Sequence, residues 1–367
     1  MNKTFITGII PQKIARLDEY IPVENTARIK LDANENPYPM PEPLRLRLAE
    51  LASALGYNRY PDPYARALTA KFAEIYGVKR ERVIAGCGSD EIIHLMCQAL
   101  YGGGEGMLTA PPDFSMYAFY AYLASGKPLT APRNTSGALD FSALRDIAAR
   151  GDCKCVMFSN PCNPTGTVTS RDAVLGFVRS VDCVVVVDEA YGEFCGESFS
   201  VLDMAGELPN LVVLKTLSKA FGLAGLRIGF AVANESLVRA VQKVKSPYNL
   251  NSFSQAAGVA ALERADEVFA LAKKISADTK ALYTVLSKIV EMIGRGRQNA
   301  APTPPGANFF MLHFNDDTAE KIHAELLRRG ISVRLMGGAL RISCGTEEEN
   351  RIFVQNFTEI VKSGAIT

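Results

Sequence analysis

Lys219 stands in the stretch LKTLSKAFGLAGLRIGF, with Thr216 and Ser218 just before it and Gly222, Gly225 and Arg227 just after. A lysine at the end of an apolar run, hemmed by small and apolar neighbours, loses hydration. The neutral amine this favours is a nucleophile toward an aldehyde. A solvated loop lysine is the plain alternative, and the company Lys219 keeps weighs against it. Two hydroxyls and a guanidinium at short spacing make the mixed donor set that binds a phosphate dianion, the arginine through forked bonds. Gly222 and Gly225 free the backbone to fold Arg227 back toward Lys219.

Further upstream, VVVVDEAYGEF puts Asp188 and Tyr191 just past an apolar strand, where open α/β sheets hold their ligands. A carboxylate there can keep a heterocyclic nitrogen protonated, and the tyrosine hydroxyl can bond a phenolate oxygen on the same ring. A helix N-cap is the other reading of Asp188, and both stand. SNPCNPTG (Ser159 to Gly166) has the proline and glycine punctuation of a loop that aims one side chain, Asn163. GCGSDE (Gly86 to Glu91) joins a strand to a helix start. The free N–H groups around Gly88, Ser89 and Asp90, with the Ser89 hydroxyl, form a ready anion site. In APPDFSMY, Phe114 can offer a flat face for ring stacking, although a buried core phenylalanine is the commoner fate.

These residues need a scaffold, and the apolar runs supply one. RVIAGCG, GMLTAPP, CKCVMFSNP, CVVVVDEAY, LVVLKTLS and LRIGFAVA are short, bounded by turn residues, and alternate with helical patterns. Continuous apolarity predicts strands buried on both faces, hence an α/β fold whose mostly parallel sheet is sandwiched by helices. After about residue 250 the pattern changes. One long helical stretch from about Ser252 through EMI leads to the Pro-rich APTPPGA, then to NFFMLHF, a helix, the strands ISVRLM and ALRIS, and a closing helix opened by a Thr346–Glu349 capping box. GGGEG (Gly102 to Gly106) reads as a plain turn, since neither GxGxxG nor a P-loop lysine follows.

Composition narrows the function classes. Forty basic residues against thirty-nine acidic ones leave a net charge of +1 over 367 residues, so neither nucleic acid nor an anionic membrane gains long-range attraction. No segment approaches the roughly 20 apolar residues of a membrane span. The eight cysteines form no CxxC pair and sit in apolar runs, as reduced thiols do. With no leader-like start, they predict a cytoplasmic protein. Three histidines, His94, His313 and His323, have no metal-ligand spacing, which argues against a metal site or a Ser-His-Asp hydrolase.

SNPCNPTG, VDEAY and TLSKAFGLAGLRIGF, in this order and at this separation, resemble the fold-type I pyridoxal-phosphate aminotransferases. KLDANENPYPMP and YNRYPDPYARAL are similar, more specifically, to the histidinol-phosphate aminotransferases of that family. The resemblance runs from about Lys30 to about Gly345. It implies an N-terminal arm and small-domain segment over residues 1–45, a large cofactor-binding domain over 46–250 and a small α+β domain over 251–367. It further implies that Lys219 joins the cofactor covalently and moves the proton, that Asp188 pairs with the pyridine nitrogen, and that Tyr191 and Asn163 meet the phenolic oxygen while Phe114 stacks on the ring. Gly88, Ser89, Asp90, Thr216, Ser218 and Arg227 would hold the phosphate. Tyr60 would reach the cofactor phosphate of a neighbouring subunit, which implies a homodimer. Arg341 would bind the substrate's anion, Arg334 a substrate phosphate, and Asn36 of LDANENPYP would also face the substrate. The implied reaction is ping-pong transfer between L-histidinol phosphate and 2-oxoglutarate.

Three departures bear on this. Ser89 stands where the family usually has alanine, SNPCNPTG carries a cysteine where SPNNPTG is typical, and only LMGGAL separates Arg334 from Arg341. Each bears on the substrate more than on the cofactor. An aromatic amino acid aminotransferase and a threonine-phosphate decarboxylase are the neighbouring readings, the latter disfavoured by LDANENPYP. A regulator built on the same domain would need a DNA-binding module, and no helix-turn-helix pattern precedes the first motif.

Overall fold

Val185, Val186 and Val187 are fully buried, and alternate side chains serve two different cores. That is the behaviour of a central strand covered on both faces. The computed structural model describes residues 8–19, 26–134, 137–292, 305–314 and 317–363. Its strands are β1 (Ile29–Leu31), β2 (Val83–Cys87), β3 (Gly106–Thr109), β4 (Lys127–Thr130), β5 (Cys153–Ser159), β6 (Val184–Asp188), β7 (Leu211–Thr216), β8 (Ile228–Val232), β9 (Phe309–His313), β10 (Ile331–Leu335) and β11 (Ala339–Ser343). Seven form one sheet in the order β2-β8-β7-β6-β5-β3-β4. The neighbours from β7 to β4 pair in parallel, and β8 runs against both of its neighbours.

The principal helices are α1 (Glu42–Ala54), α2 (Arg66–Tyr76), α3 (Gly88–Leu100), α4 (Met116–Leu123), α5 (Phe141–Ala148), α6 (Arg171–Val178), α7 (Glu235–Val244), α8 (Ser252–Leu262), α9 (Ala265–Met292), α10 (Thr318–Arg328) and α11 (Glu347–Lys362). Leu68 and Phe72 of α2, Leu144 of α5, Val174 of α6 and Ala257 of α8 share one core with Val185 and Val187. On the other face, Ile92 and Met96 of α3, Tyr117 of α4 and Val238 of α7 pack with Val186 and Val212. Each of the buried leucine, isoleucine, valine, phenylalanine and methionine side chains among them contributes about 1.5–3 kcal/mol relative to exposure.

The second sheet has the order β1-β10-β11-β9. Its first strand comes from far upstream, Ile29 pairing with Ile331 in parallel register. Leu282 and Leu286 of α9, Ile322 and Leu326 of α10, and Phe353 and Phe357 of α11 close a separate core against it. The capping box of α11 forms as its residues predict, Thr346 N–H donating to Glu349 Oε2 at 2.8 Å and Glu349 N–H to Thr346 Oγ1 at 3.3 Å. The long helix expected from Ser252 is instead two, broken at Glu263 and Arg264. The break leaves α8 seated on α1 and α2 while α9 runs on to pack against β9 and α11. APTPPGA lies, through residue 304, outside the described residues.

Candidate active site

Parallel strands end level with one another, and that level is where the reactive residues gather. Ser159 at the end of β5, Asp188 at the end of β6 and Leu214 of β7 are in register. Asp188 is buried; its Oδ1 accepts the Ala190 N–H at 3.0 Å and its Oδ2 accepts the Tyr117 hydroxyl at 2.8 Å. The Ala190 bond is the local turn that a capping reading anticipates, while the Tyr117 bond crosses from α4. Burial raises the Asp188 carboxyl to about 6, against the pull of the Tyr117 and Ala190 hydrogen bonds.

The loop after β5 is braced from below. Asn163 N–H donates to Ser159 Oγ at 2.9 Å, and Ser159 donates in turn to Asp113, whose buried carboxylate pairs with buried Arg133 at 3.2 Å. Burial lifts Asp113 to about 6 in spite of Arg133. The Asn163 side chain so held has its Oδ1 2.7 Å from Arg341 Nη1. Past β6, the buried ammonium of Lys215 lies 2.7 Å from Glu193 and 3.7 Å from Glu189, with the Tyr76 hydroxyl donating to Glu193 at 2.7 Å. This ionic knot fastens the segment carrying Asp188 and Tyr191 to β7.

The anion cradle lies one strand further on. Thr216 at the end of β7 pairs with Gly229 of β8, which pairs with Gly86 of β2. Gly88 opens α3 at φ +79°, and a methyl group on it would lie 2.5 Å from Arg227 Nη2. One on Gly229 would lie 2.2 Å from the Ser89 nitrogen. Only glycine permits this approach, and it brings the first turn of α3 against Arg227, which bonds Asp90 at 3.0 Å. Thr216 and Ser218 hydroxyls are 3.0 Å apart, both buried. Of the two glycines expected to turn the chain toward Arg227, Gly222 has φ +67° while Gly225 has an ordinary φ and open space around it.

Three consecutive residues after β1 cross this site. Asp32 C=O accepts from Arg341 Nη2 at 2.7 Å, Ala33 C=O from Lys219 Nζ at 3.2 Å, and the Asn34 amide donates to the Tyr191 hydroxyl at 3.1 Å. Lys219 is half-buried rather than enclosed, its Nζ 5.7 Å from the Tyr191 ring centroid. The Asn36 amide is committed to the Ala220 carbonyl at 2.8 Å and to the Tyr38 N–H at 3.0 Å. Phe114 is half-buried and meets Tyr117 edge to face at 5.5 Å. Tyr60 stands apart, 80% exposed, its ring stacked at 4.3 Å on Tyr248 rather than on a site side chain.

Arg334 and Arg341 face each other. Met336 and Ala339 close a two-residue turn through Gly337 and Gly338, both at positive φ, by bonds of 2.9 and 3.1 Å. This favoured hairpin geometry sets Arg334 directly opposite Arg341 on the same face. Burial, with repulsion from Arg334, pulls the Arg341 guanidinium below its ordinary value, Tyr191 opposing. Its buried Nε has no partner among the described residues.

The aminotransferase class I and II family model matches residues 26–357. The chain belongs to that family. It is 37% identical over 357 residues to histidinol-phosphate aminotransferase 1 of Carboxydothermus hydrogenoformans, covering 95% of this chain and 98% of that protein. It is 34% identical over 362 residues to the histidinol-phosphate aminotransferase of Thermoanaerobacter sp., covering 97% and 99%. In structure it is similar to the Sinorhizobium meliloti histidinol-phosphate aminotransferase solved with pyridoxal 5'-phosphate, with a TM-score of 0.86 at 22% identity and coverage of 97% and 98%. Membership makes it an aminotransferase whose cofactor is pyridoxal phosphate.

The residues of this aminotransferase fit that cofactor. The cradle, closed to side chains at Gly88 and Gly229, offers α3 N–H groups, hydroxyls of Ser89, Thr216 and Ser218 and the Arg227 guanidinium, a donor set suited to a dianion. Asp188 offers a buried carboxylate for the ring nitrogen, and Tyr191 and Asn163 can meet the phenolic oxygen. When bound, the cofactor supplies an electron sink that stabilises negative charge on the substrate carbon. Lys219 can then hold and return the proton.

Tyr117 went unremarked as a site residue at the sequence level, although it lies three positions after Phe114 in the same motif. Removing its hydroxyl leaves Asp188 with one fewer stabilising bond and raises that carboxyl further. Tyr117→Phe is expected to weaken cofactor binding roughly tenfold or more and to move the pH below which affinity falls upward. Titrating cofactor-free protein at several pH values checks this; wild-type affinity throughout would deny Tyr117 a part in holding Asp188 ionised.

Proposed function

We propose that this aminotransferase moves the amino group of L-histidinol phosphate to 2-oxoglutarate by a ping-pong mechanism, in histidine biosynthesis. The observation that carries the reading is the Arg334–Arg341 pair. Two guanidiniums set opposite each other on a strand pair repel, a cost that a bound dianion relieves, and Arg341 Nε adds a buried donor with no partner among the described residues. A phosphate ester suits that charge better than a lone carboxylate does. The names of the curated relatives support the same substrate.

A homodimer with shared sites belongs to the proposal. Tyr57, Tyr60, Tyr64 and Tyr248 are all exposed, an aromatic group of the kind that interfaces cover.

The first half-reaction tests the substrate, followed by the visible absorbance of the bound cofactor. L-histidinol phosphate should bleach it at far lower concentration than L-phenylalanine does; the reverse order would move the enzyme to the aromatic class. Arg334→Ala should then lower kcat/KM for the phosphate ester by about 10²-fold while leaving phenylalanine within a few-fold. Equal losses on both would remove the phosphate role of Arg334.

A further inference from the structure

Asn34 is an unusual residue to find buried. It is 1% exposed and adopts φ +54°, a left-handed conformation that costs most side chains about 1 kcal/mol or more and that asparagine tolerates best after glycine. Its hydrogen bonds leave one amide orientation. The backbone N–H donates to Ser343 Oγ at 2.9 Å, and that hydroxyl returns its proton to Asn34 Oδ1 at 3.0 Å. The Nδ2 group must then face the Tyr191 oxygen, 3.1 Å away.

This direction decides where the Tyr191 proton goes. An oxygen that accepts from an amide N–H keeps its own O–H for another acceptor. The guanidinium of Arg341, which acts on Tyr191, has no lone pair to accept that proton, and Lys219 Nζ, 5.7 Å from the Tyr191 ring centroid, donates to the Ala33 carbonyl. The segment bearing Asn34 is itself fastened, by Asn308 to the Glu35 carbonyl at 3.1 Å and by Asn36 to Ala220.

We infer that Asn34 is a positioning residue, which, fixed by Ser343, turns the Tyr191 hydroxyl so that its proton is presented to the phenolic oxygen of the cofactor. The inference rests on the reading of Tyr191 as the group that meets that oxygen. A turn residue required only for its backbone would have no such effect.

The test uses the cofactor-loaded enzyme and reads the pH titration of its visible absorbance, with Tyr191→Phe as the reference. A proton donated to the phenolic oxygen steadies its negative charge. Without it the oxygen is more basic, so the proton shared with the Lys219 nitrogen leaves at higher pH. Asn34→Asp presents an acceptor that draws the Tyr191 proton away, and its titration midpoint should rise by about one pH unit, as in Tyr191→Phe. Asn34→Gly keeps the left-handed backbone without the amide and should rise by a smaller amount. Should Asn34→Asp fail to fold, the glycine variant alone decides. Midpoints at the wild-type value in the Asn34 variants, with Tyr191→Phe shifted, overturn the inference about Asn34. An unshifted Tyr191→Phe overturns the reading of Tyr191 and the inference with it.

Discussion

Replacing Lys219 with alanine should reduce turnover to below about one part in 10⁴, with a half-reaction too slow to follow by mixing methods. On the proposed reading of Lys219, two functions would be lost together, covalent attachment of the cofactor and proton transfer at the substrate carbon. The neighbouring lysine in the sequence cannot take them over. Lys215, four residues upstream, is buried between Glu193 and Glu189. Burial works to neutralise it, but the two carboxylates outweigh burial and hold it as an ammonium. The phosphate cradle and Asp188 are untouched by the change, so the variant should still bind the cofactor, more weakly and without a bond to lysine. Turnover near the wild-type rate would remove Lys219 from the chemistry.

Asp188→Asn should have the second largest effect, and in two opposite directions. Activity should fall by about 10²–10³-fold, the usual scale for removing a preorganised charge from a site. The cofactor-free protein should meanwhile become more stable. The folded Asp188 carboxyl titrates at about 6, above the 3.8 of an ordinary aspartate. Below the lower value both states are protonated and Asp188 adds no penalty. As pH rises toward 6 the unfolded state ionises first, and the folded state loses stability relative to it. Above 6 the penalty is complete, at most about 3 kcal/mol. Thermal unfolding of cofactor-free wild-type and Asp188→Asn proteins should therefore coincide near pH 4 and diverge by pH 8, the variant higher. Coincidence at pH 8 would mean that Asp188 is not held at a cost. Function here opposes stability at a single buried atom group.

Much of this was legible in the residues themselves. The valine run before Asp188 carries its own burial on both faces, and glycine, hydroxyl and arginine spacing around Lys219 announces an anion site before any strand is drawn. The parts of each such motif lie within about a dozen residues of one another. Tyr117 and Asn34 were not legible, because their significance lies in partners 71 and 157 positions away. Arg133 is similar; its charge is unexceptional in sequence and matters because the fold buries it against Asp113. The break at Glu263 and Arg264 escaped for a different reason. The apolar pattern continues across it, and only the separate demands of the α8 and α9 packing surfaces require a turn.

The Gly337–Gly338 turn has a consequence for how such an enzyme can change. Side chains on a strand alternate faces, so an insertion that slips β10 by one residue against β11 carries Arg334 to the opposite side of the sheet. On the proposed reading of Arg334, the charge available for an anionic substrate is therefore set by the register of this hairpin as much as by the identity of an arginine. A lineage could pass from doubly charged to singly charged substrates by a single insertion, with both arginines retained.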